Sequence, residues 1–287
     1  MTVGGADRDA LVELLKRPRY EVFPLAGIEQ DVTAHVPRDV KVAITSSPTR
    51  GIETTIQLAE ELVRRGYEVV PHLAARLVAD DAHLKRILAR LREAGVREAL
   101  VIGGDIEEPA GRFASAFELL AAMTELGDGL DSIGIAGYPE SHPFISDEAT
   151  IKSMSSKAPL ATHIVSQLCF EPRVIGRWIA DVRARGMGLP IYIGIPGAVG
   201  RARLVRISSR IGVGESTRFL RRHGSLLARL FLRGSYSPGF LVDGLRPYVG
   251  DPRNGVGGFH VYTFNEVGRT ERWRQETIRR LGEEAAA

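Results

Sequence analysis

Seven times along this chain a short apolar run ends in a polar or Gly/Pro-rich cluster. The clusters read Glu-Val-Phe-Pro at 21–24, Thr-Ser-Ser-Pro-Thr-Arg-Gly at 45–51, Pro-His-Leu-Ala-Ala-Arg at 71–76, Gly-Gly-Asp-Ile-Glu-Glu-Pro at 103–109, Gly-Tyr-Pro-Glu-Ser-His-Pro at 137–143, Ser-Gln-Leu-Cys-Phe at 166–170 and Val-Tyr-Thr-Phe-Asn at 261–265. Between them the apolar spacing changes from strand-like to helical. Parallel strands alternating with helices, each strand ending in chemistry-bearing residues, point to a sheet whose functional rim lies at its strand C-termini.

Strands are predicted at residues 20–23, 40–45, 68–71, 99–102, 132–136, 162–166, 190–195 and 259–263. Helices are predicted at 54–65, stopped by Gly66, at 79–94, stopped by Gly95, and at 113–126. In the second of these, Leu84, Ile87, Leu88 and Leu91 form one apolar stripe, the face such a helix turns to a core. Eight strand-helix units with short links favour a closed (βα)8 TIM barrel over an open doubly wound sheet. The expected fold is therefore α/β, a single barrel domain over residues 1–287, with the Gly/Pro-rich segment 234–257 as a long loop or lid.

Composition narrows the partners. A chain of 287 residues, 44% hydrophobic and 25% charged, can bury a large core, and its formal charge of +3 is too mild to imply nucleic acid. Residues 201–233 hold nine arginines against one acid, Glu215, without the interleaved aromatic ladder on which single-stranded nucleic acid would stack, which reads as an anion-facing segment. The single cysteine, Cys169, excludes an internal disulfide and suits a reducing compartment. No signal peptide or membrane-length apolar run is visible, so a cytoplasmic protein without a membrane partner is expected.

The clusters also carry a resemblance. Their order, with Ala-Gly-Tyr-Pro-Glu-Ser-His-Pro at 136–143 and His-Val-Tyr-Thr-Phe-Asn at 260–265 as the strongest pieces, resembles the methylenetetrahydrofolate reductase family over almost the entire chain. The resemblance implies a (βα)8 barrel that reduces the methylene bridge of 5,10-methylenetetrahydrofolate to a methyl group. That substrate accepts hydride only after its ring opens to a 5-iminium cation, which calls for a proton donor near a pterin nitrogen. A carboxylic acid can serve only if its pKa is lifted toward neutrality.

Glu21 lies between Tyr20 and the apolar Val22-Phe23-Pro24, where burial would raise its pKa. By resemblance Glu21 is the catalytic acid; the plain alternative is a barrel-mouth carboxylate paired with an arginine. Asp105 follows two glycines at a strand end, and the resemblance sets it against the pterin to stabilise developing positive charge, whereas Asp is also a common turn or helix-cap residue. Gln167 offers a donor and an acceptor to an amide-like pterin edge, and the resemblance implies that role; the plain alternative is a rim glutamine bonded to backbone. Tyr138 and His142 fall in a cluster that lines the flavin in flavin-containing relatives, and Thr45 and His72 match cofactor-side positions; Tyr138 is also a substrate-side candidate. Alone, that cluster reads as a rigid loop. Arg201, Arg203 and Arg206 could grip a folate tail or a nicotinamide pyrophosphate through bidentate hydrogen bonds, with Arg203 taken as cofactor-binding, or form a solvated basic face. Gly194, Gly197 and Gly200 could cradle a phosphate or make a tight turn.

The departures from the family pattern concern the cofactor. Flavin-containing members carry a Thr after the His-Leu of strand three and a Lys before an Ala-Gly-Ala turn; here the residues are Ala74-Ala75 and Ser156-Lys157-Ala158-Pro159-Leu160-Ala161. This is similar to the short, flavin-free branch, in which NADH or NADPH passes hydride directly to the iminium carbon. The alternatives are an FAD-dependent reductase of the same family and a barrel that binds folate or a pterin without redox chemistry. No metal is called for, and neither the nucleotide nor the oligomeric state is fixed by the sequence.

Overall fold

The computed structural model describes residues 3–127, 129–140, 147–200 and 235–286. Eight strands close into a barrel: β1 (Arg19–Val22), β2 (Lys41–Ile44), β3 (Val69–Ala74), β4 (Glu98–Ile102), β5 (Ser132–Gly137), β6 (His163–Ser166), β7 (Ile191–Pro196) and β10 (Val256–Tyr262). They run in the order β1-β10-β7-β6-β5-β4-β3-β2 and back to β1. Every pairing is parallel, so all strand C-termini share one rim. The first and last barrel strands close the ring through the pairs Arg19 with His260 and Glu21 with Tyr262. A separate antiparallel pair, β8 (Val199–Gly200) with β9 (Ser235–Tyr236), follows β7.

The helices around the barrel are α1 (Val3–Lys16), α2 (Ile28–His35), α3 (Gly51–Arg64), α4 (Asp81–Ala94), α5 (Ala116–Leu126), α6 (Asp147–Lys157), α7 (Pro172–Ala184), α8 (Gly239–Val249) and α9 (Val267–Ala286). Their ends follow local chemistry. Asp80 caps α4 by accepting from the His83 amide at 2.7 Å, and Ser115 with Glu118 forms a capping box on α5. Among the described residues no helix is long and apolar enough to cross a membrane.

Two differences from the sequence reading matter. The third strand extends to Ala74, because His72, Leu73 and Ala74 pair with Leu100, Val101 and Ile102 of β4; His72 thus lies inside a strand. The segment expected as a long loop contains α8, whose buried Leu241, Val242, Leu245 and Val249 form one apolar stripe. Pro238 at its start, Pro247 within it and the glycines around it hide that stripe from a reading that treats Gly and Pro as breaks.

The main core lies between barrel and helices, while the barrel interior follows the period of two. Tyr20 faces outward, its hydroxyl donating to Glu271 of α9 at 2.8 Å, and Arg19 and Glu21 face inward. At the base, Arg19 Nη2 meets Glu98 Oε1 at 2.5 Å as a close ion pair, and Arg19 Nη1 lies 2.7 Å from His163 Nε2. Lys41 Nζ reaches Glu98 at 2.9 Å, and the Arg19 guanidinium stacks 3.5 Å from the centre of the Tyr192 ring. Ala43, Val70, Leu100 and Val165 form an apolar layer, and the next inward positions are Glu21, His72 and His260.

Candidate active site

Glu21 is 7% exposed, and its Oε2 lies 3.1 Å from Nε2 of His260 and 3.9 Å from Nε2 of His72. Both imidazoles are buried, with ring centres 5.9 Å apart. Burial raises the Glu21 carboxyl to about 7, opposed by His72. Burial also pushes the histidines down, His72 to about 4 and His260 to about 3, with the Arg19 charge beneath adding to both shifts. At neutral pH the rings are therefore uncharged, and Glu21 sits at the midpoint of its titration with His260 as hydrogen-bond partner. Nε2 of His72 and Nδ1 of His260 are buried without hydrogen-bond partners among the described residues, so little there compensates the carboxyl for its lost hydration.

The backbone that carries Glu21 is held by the residues after β10. Thr263 Oγ1 donates to the Glu21 carbonyl at 2.6 Å, and the Asn265 side chain accepts from the Phe23 amide at 2.8 Å while donating to the Phe23 carbonyl at 3.0 Å. Phe264 and Asn265 adopt left-handed φ of 51° and 60°, an uncommon conformation that non-glycine residues keep only when their surroundings fix it. Tyr262 stands beside the acid: its ring lies 5.1 Å from His260 in an edge arrangement, its hydroxyl donates to the Ser166 carbonyl at 3.3 Å, and burial with the Glu21 and Tyr138 charges raises its pKa.

The other candidates occupy the same rim. Half-buried Thr45 follows β2, its amide bonded to the Val22 carbonyl at 3.0 Å. Asp105 is exposed in the turn after β4, where Gly104 has φ +91° and a side chain would press on Ala74 at 3.2 Å. Gln167 is exposed after β6, its amide donating to the Gly137 carbonyl at 2.7 Å and its Oε1 accepting from the Leu168 amide at 2.9 Å. Tyr138 is half-buried after β5. A side chain at Gly194 would meet the Ser166 carbonyl at 2.3 Å, so this glycine permits close packing of β7 on β6. His142, Arg201, Arg203 and Arg206 lie outside the described residues.

The structure thus brings His72 within 3.9 Å of Glu21. His260 was not singled out by sequence, although the alternation Phe259, His260, Val261, Tyr262 placed its two polar rings on one face. The ligand atoms of Glu21, His72 and His260 all lie within 4.8 Å of one another. That spacing could enclose a cation, but the facing atoms of Glu21 and His260 already share a hydrogen bond, and we read the group as one that holds a proton.

On the flavin side, the two positions after His72-Leu73 are Ala74 and Ala75, both buried and without a hydroxyl. Lys157 ends α6 at 7% exposure, its pKa lowered by burial, and residues 158–160 form a 3-10 turn leading to β6. Among the described residues, these positions offer no hydroxyl and no exposed ammonium to the phosphate and ribityl parts of a flavin.

Fold and site define a closed parallel barrel with a buried carboxylic acid poised near neutrality at its strand C-termini. The family profile named methylenetetrahydrofolate reductase matches residues 26–273, and the chain belongs to that family. It is 29% identical over 159 residues to methylenetetrahydrofolate reductase 1 of Schizosaccharomyces pombe, covering 53% of this chain and 25% of that protein. It is also 29% identical over 128 residues to the Caenorhabditis elegans protein named "Probable methylenetetrahydrofolate reductase (NADPH)", covering 42% of this chain and 19% of that protein. The matches thus span a quarter or less of those relatives' length. A solved monomeric dihydrodipicolinate synthase variant aligns at 13% identity over 63% of each chain with a TM-score of 0.39, too distant to bear on function.

Proposed function

We propose that the protein reduces 5,10-methylenetetrahydrofolate to 5-methyltetrahydrofolate with NADH or NADPH as direct hydride donor. The observation that carries this reading is Glu21, a buried carboxyl at about 7 held by neutral His260 at the barrel rim in a chain of this family. Such an acid keeps its proton at neutral pH and can still release it. Glu21 donates to the nitrogen that leaves the methylene carbon; that carbon–nitrogen bond breaks, and the remaining nitrogen's lone pair forms the 5-iminium. The nicotinamide supplies the hydride that this carbon accepts, giving the methyl group and the oxidised nucleotide. His260 then steadies the Glu21 carboxylate until it regains a proton from solvent. Asp105 places negative charge near the cationic pterin, and Gln167 anchors the pterin edge by its amide. Thr45 and Tyr138 would border the nicotinamide when it is bound.

The buried Ala74, Ala75 and Lys157 favour a flavin-free reaction, and no step here depends on flavin. The test is purification without added flavin, a visible spectrum, and assays of NADH and NADPH oxidation with methylenetetrahydrofolate. A colourless protein that oxidises one nucleotide only when the folate is present is the expected result. Activity that requires FAD would overturn the direct transfer, and folate affinity without turnover under any donor would replace the reductase by a binding protein.

A further inference from the structure

Residues 103–114, which join β4 to α5 and carry Asp105, contain no helix or strand. Much of their backbone is tied to Arg76, in the 3-10 turn Ala75–Leu77 that follows β3. The Arg76 amide donates to the Gly103 carbonyl at 3.0 Å, and its carbonyl accepts from the Ala110 amide at 2.8 Å. Its guanidinium donates through Nη1 to the carbonyls of Ile106 and Glu107 at 3.0 and 3.1 Å, and through Nε to that of Ala114 at 2.9 Å. Two of these carbonyls directly follow Asp105 in sequence, and the third closes the far end of the loop. On the other side, Gly104 is pressed onto Ala74 and the Arg76 Cβ, which a side chain would meet at 3.2 and 3.6 Å. Asp105 is thus fixed before and after by one residue of the neighbouring strand's exit. A planar fork serving three carbonyls sets orientation as well as distance, which a flexible ammonium does not.

We propose that Arg76 is a positioning residue for Asp105, holding its carboxylate over the barrel mouth. This rests on the role given to Asp105 above. A residue that only keeps the loop folded would lower activity whether or not Asp105 is present; one that positions Asp105 loses its kinetic effect once that carboxylate is gone. The experiment is a double-mutant cycle of wild type, Arg76→Ala, Asp105→Ala and the double variant, measuring kcat and KM for methylenetetrahydrofolate. Arg76→Ala should lower kcat/KM by at least about tenfold in the wild-type background and less than about twofold in the Asp105→Ala background. Equal losses in both backgrounds overturn the proposal. Arg76→Lys should recover only part of the lost rate, and full recovery would reduce Arg76 to a charge and likewise overturn it. If Arg76→Ala does not fold, Arg76→Lys takes its place in the cycle. If the wild type has no reductase activity, the functional reading fails on its own, and the same cycle is read on the calorimetric Kd for 5-methyltetrahydrofolate with the same criterion.

Discussion

Replacing Glu21 by Gln separates the energetic cost of the acid from its use. The carboxyl titrates at about 7 in the folded protein against an ordinary value of 4.5, and at about 1.4 kcal/mol per pH unit that difference is about 3 kcal/mol. Because the side chain is only 8% exposed, solvent screening does not erode this figure. The sign follows from the direction of the shift: with the folded pKa raised, the stabilising contribution is fully present below pH 4.5 and is lost as pH rises through 7. Gln cannot ionise and can still hydrogen-bond His260. The variant should therefore melt with the wild type near pH 4.5 and above it at pH 8, by about 5 °C for a chain of this length. Titration of His72 and His260 at about 4 and 3 affects both proteins on the acid side and largely drops out of the difference. In parallel, turnover should fall by about 10²- to 10⁴-fold, the usual worth of a positioned general acid. Wild-type kcat/KM should decline about tenfold per pH unit above 7, as the protonated fraction does. Calorimetry and steady-state rates across pH 4.5–9 provide the measurements. Parallel melting curves for the two proteins, or turnover retained in Glu21→Gln, would refute the reasoning.

Asn265→Ala removes both hydrogen bonds to Phe23 and leaves Ala at φ 60°. It should destabilise by about 2–3 kcal/mol, from lost backbone partners and left-handed strain, and lower kcat more than it raises KM. Thermal melting and kinetics check this, and an unchanged kcat would sever the link between the strap and the acid. Glu98→Ala leaves Arg19 charged and buried without its carboxylate, an effect on the order of 3–5 kcal/mol seen in denaturant unfolding; a loss below about 1 kcal/mol would show that water reaches the barrel base.

The barrel was legible because its units repeat one grammar, an apolar run, a polar stop and a helix, in several of them closed by glycine. Gly66 and Gly95, both at φ 84°, end their units where the sequence placed the stops. Helix α8 was less so, since Pro238 stands at its N-cap and Pro247 in its last turn, a placement that the buried stripe supports and local propensity does not report. At the site, the burial of Glu21 could be expected from its apolar neighbours, because burial along one strand is a local property, whereas its reading as the acid came from the family resemblance. His260 could not be joined to it, because their contact depends on which strands are neighbours around the ring, and the two lie 239 residues apart. Extension of β3 through Ala74 was invisible for the same reason: pairing with β4 decides it.

The pairing of β1 with β10 has a consequence for synthesis. The acid lies on the first barrel strand and so leaves the ribosome before the histidine that binds it and the Thr263–Asn265 strap that fixes its backbone, which come with the last. Until the last strand docks, Glu21 has no such partner, no enclosure and no reason to hold a proton at neutral pH. The raised pKa of Glu21 is thereby tied to completion of the ring, and a chain that lacks the last strand should leave this carboxyl near its ordinary value.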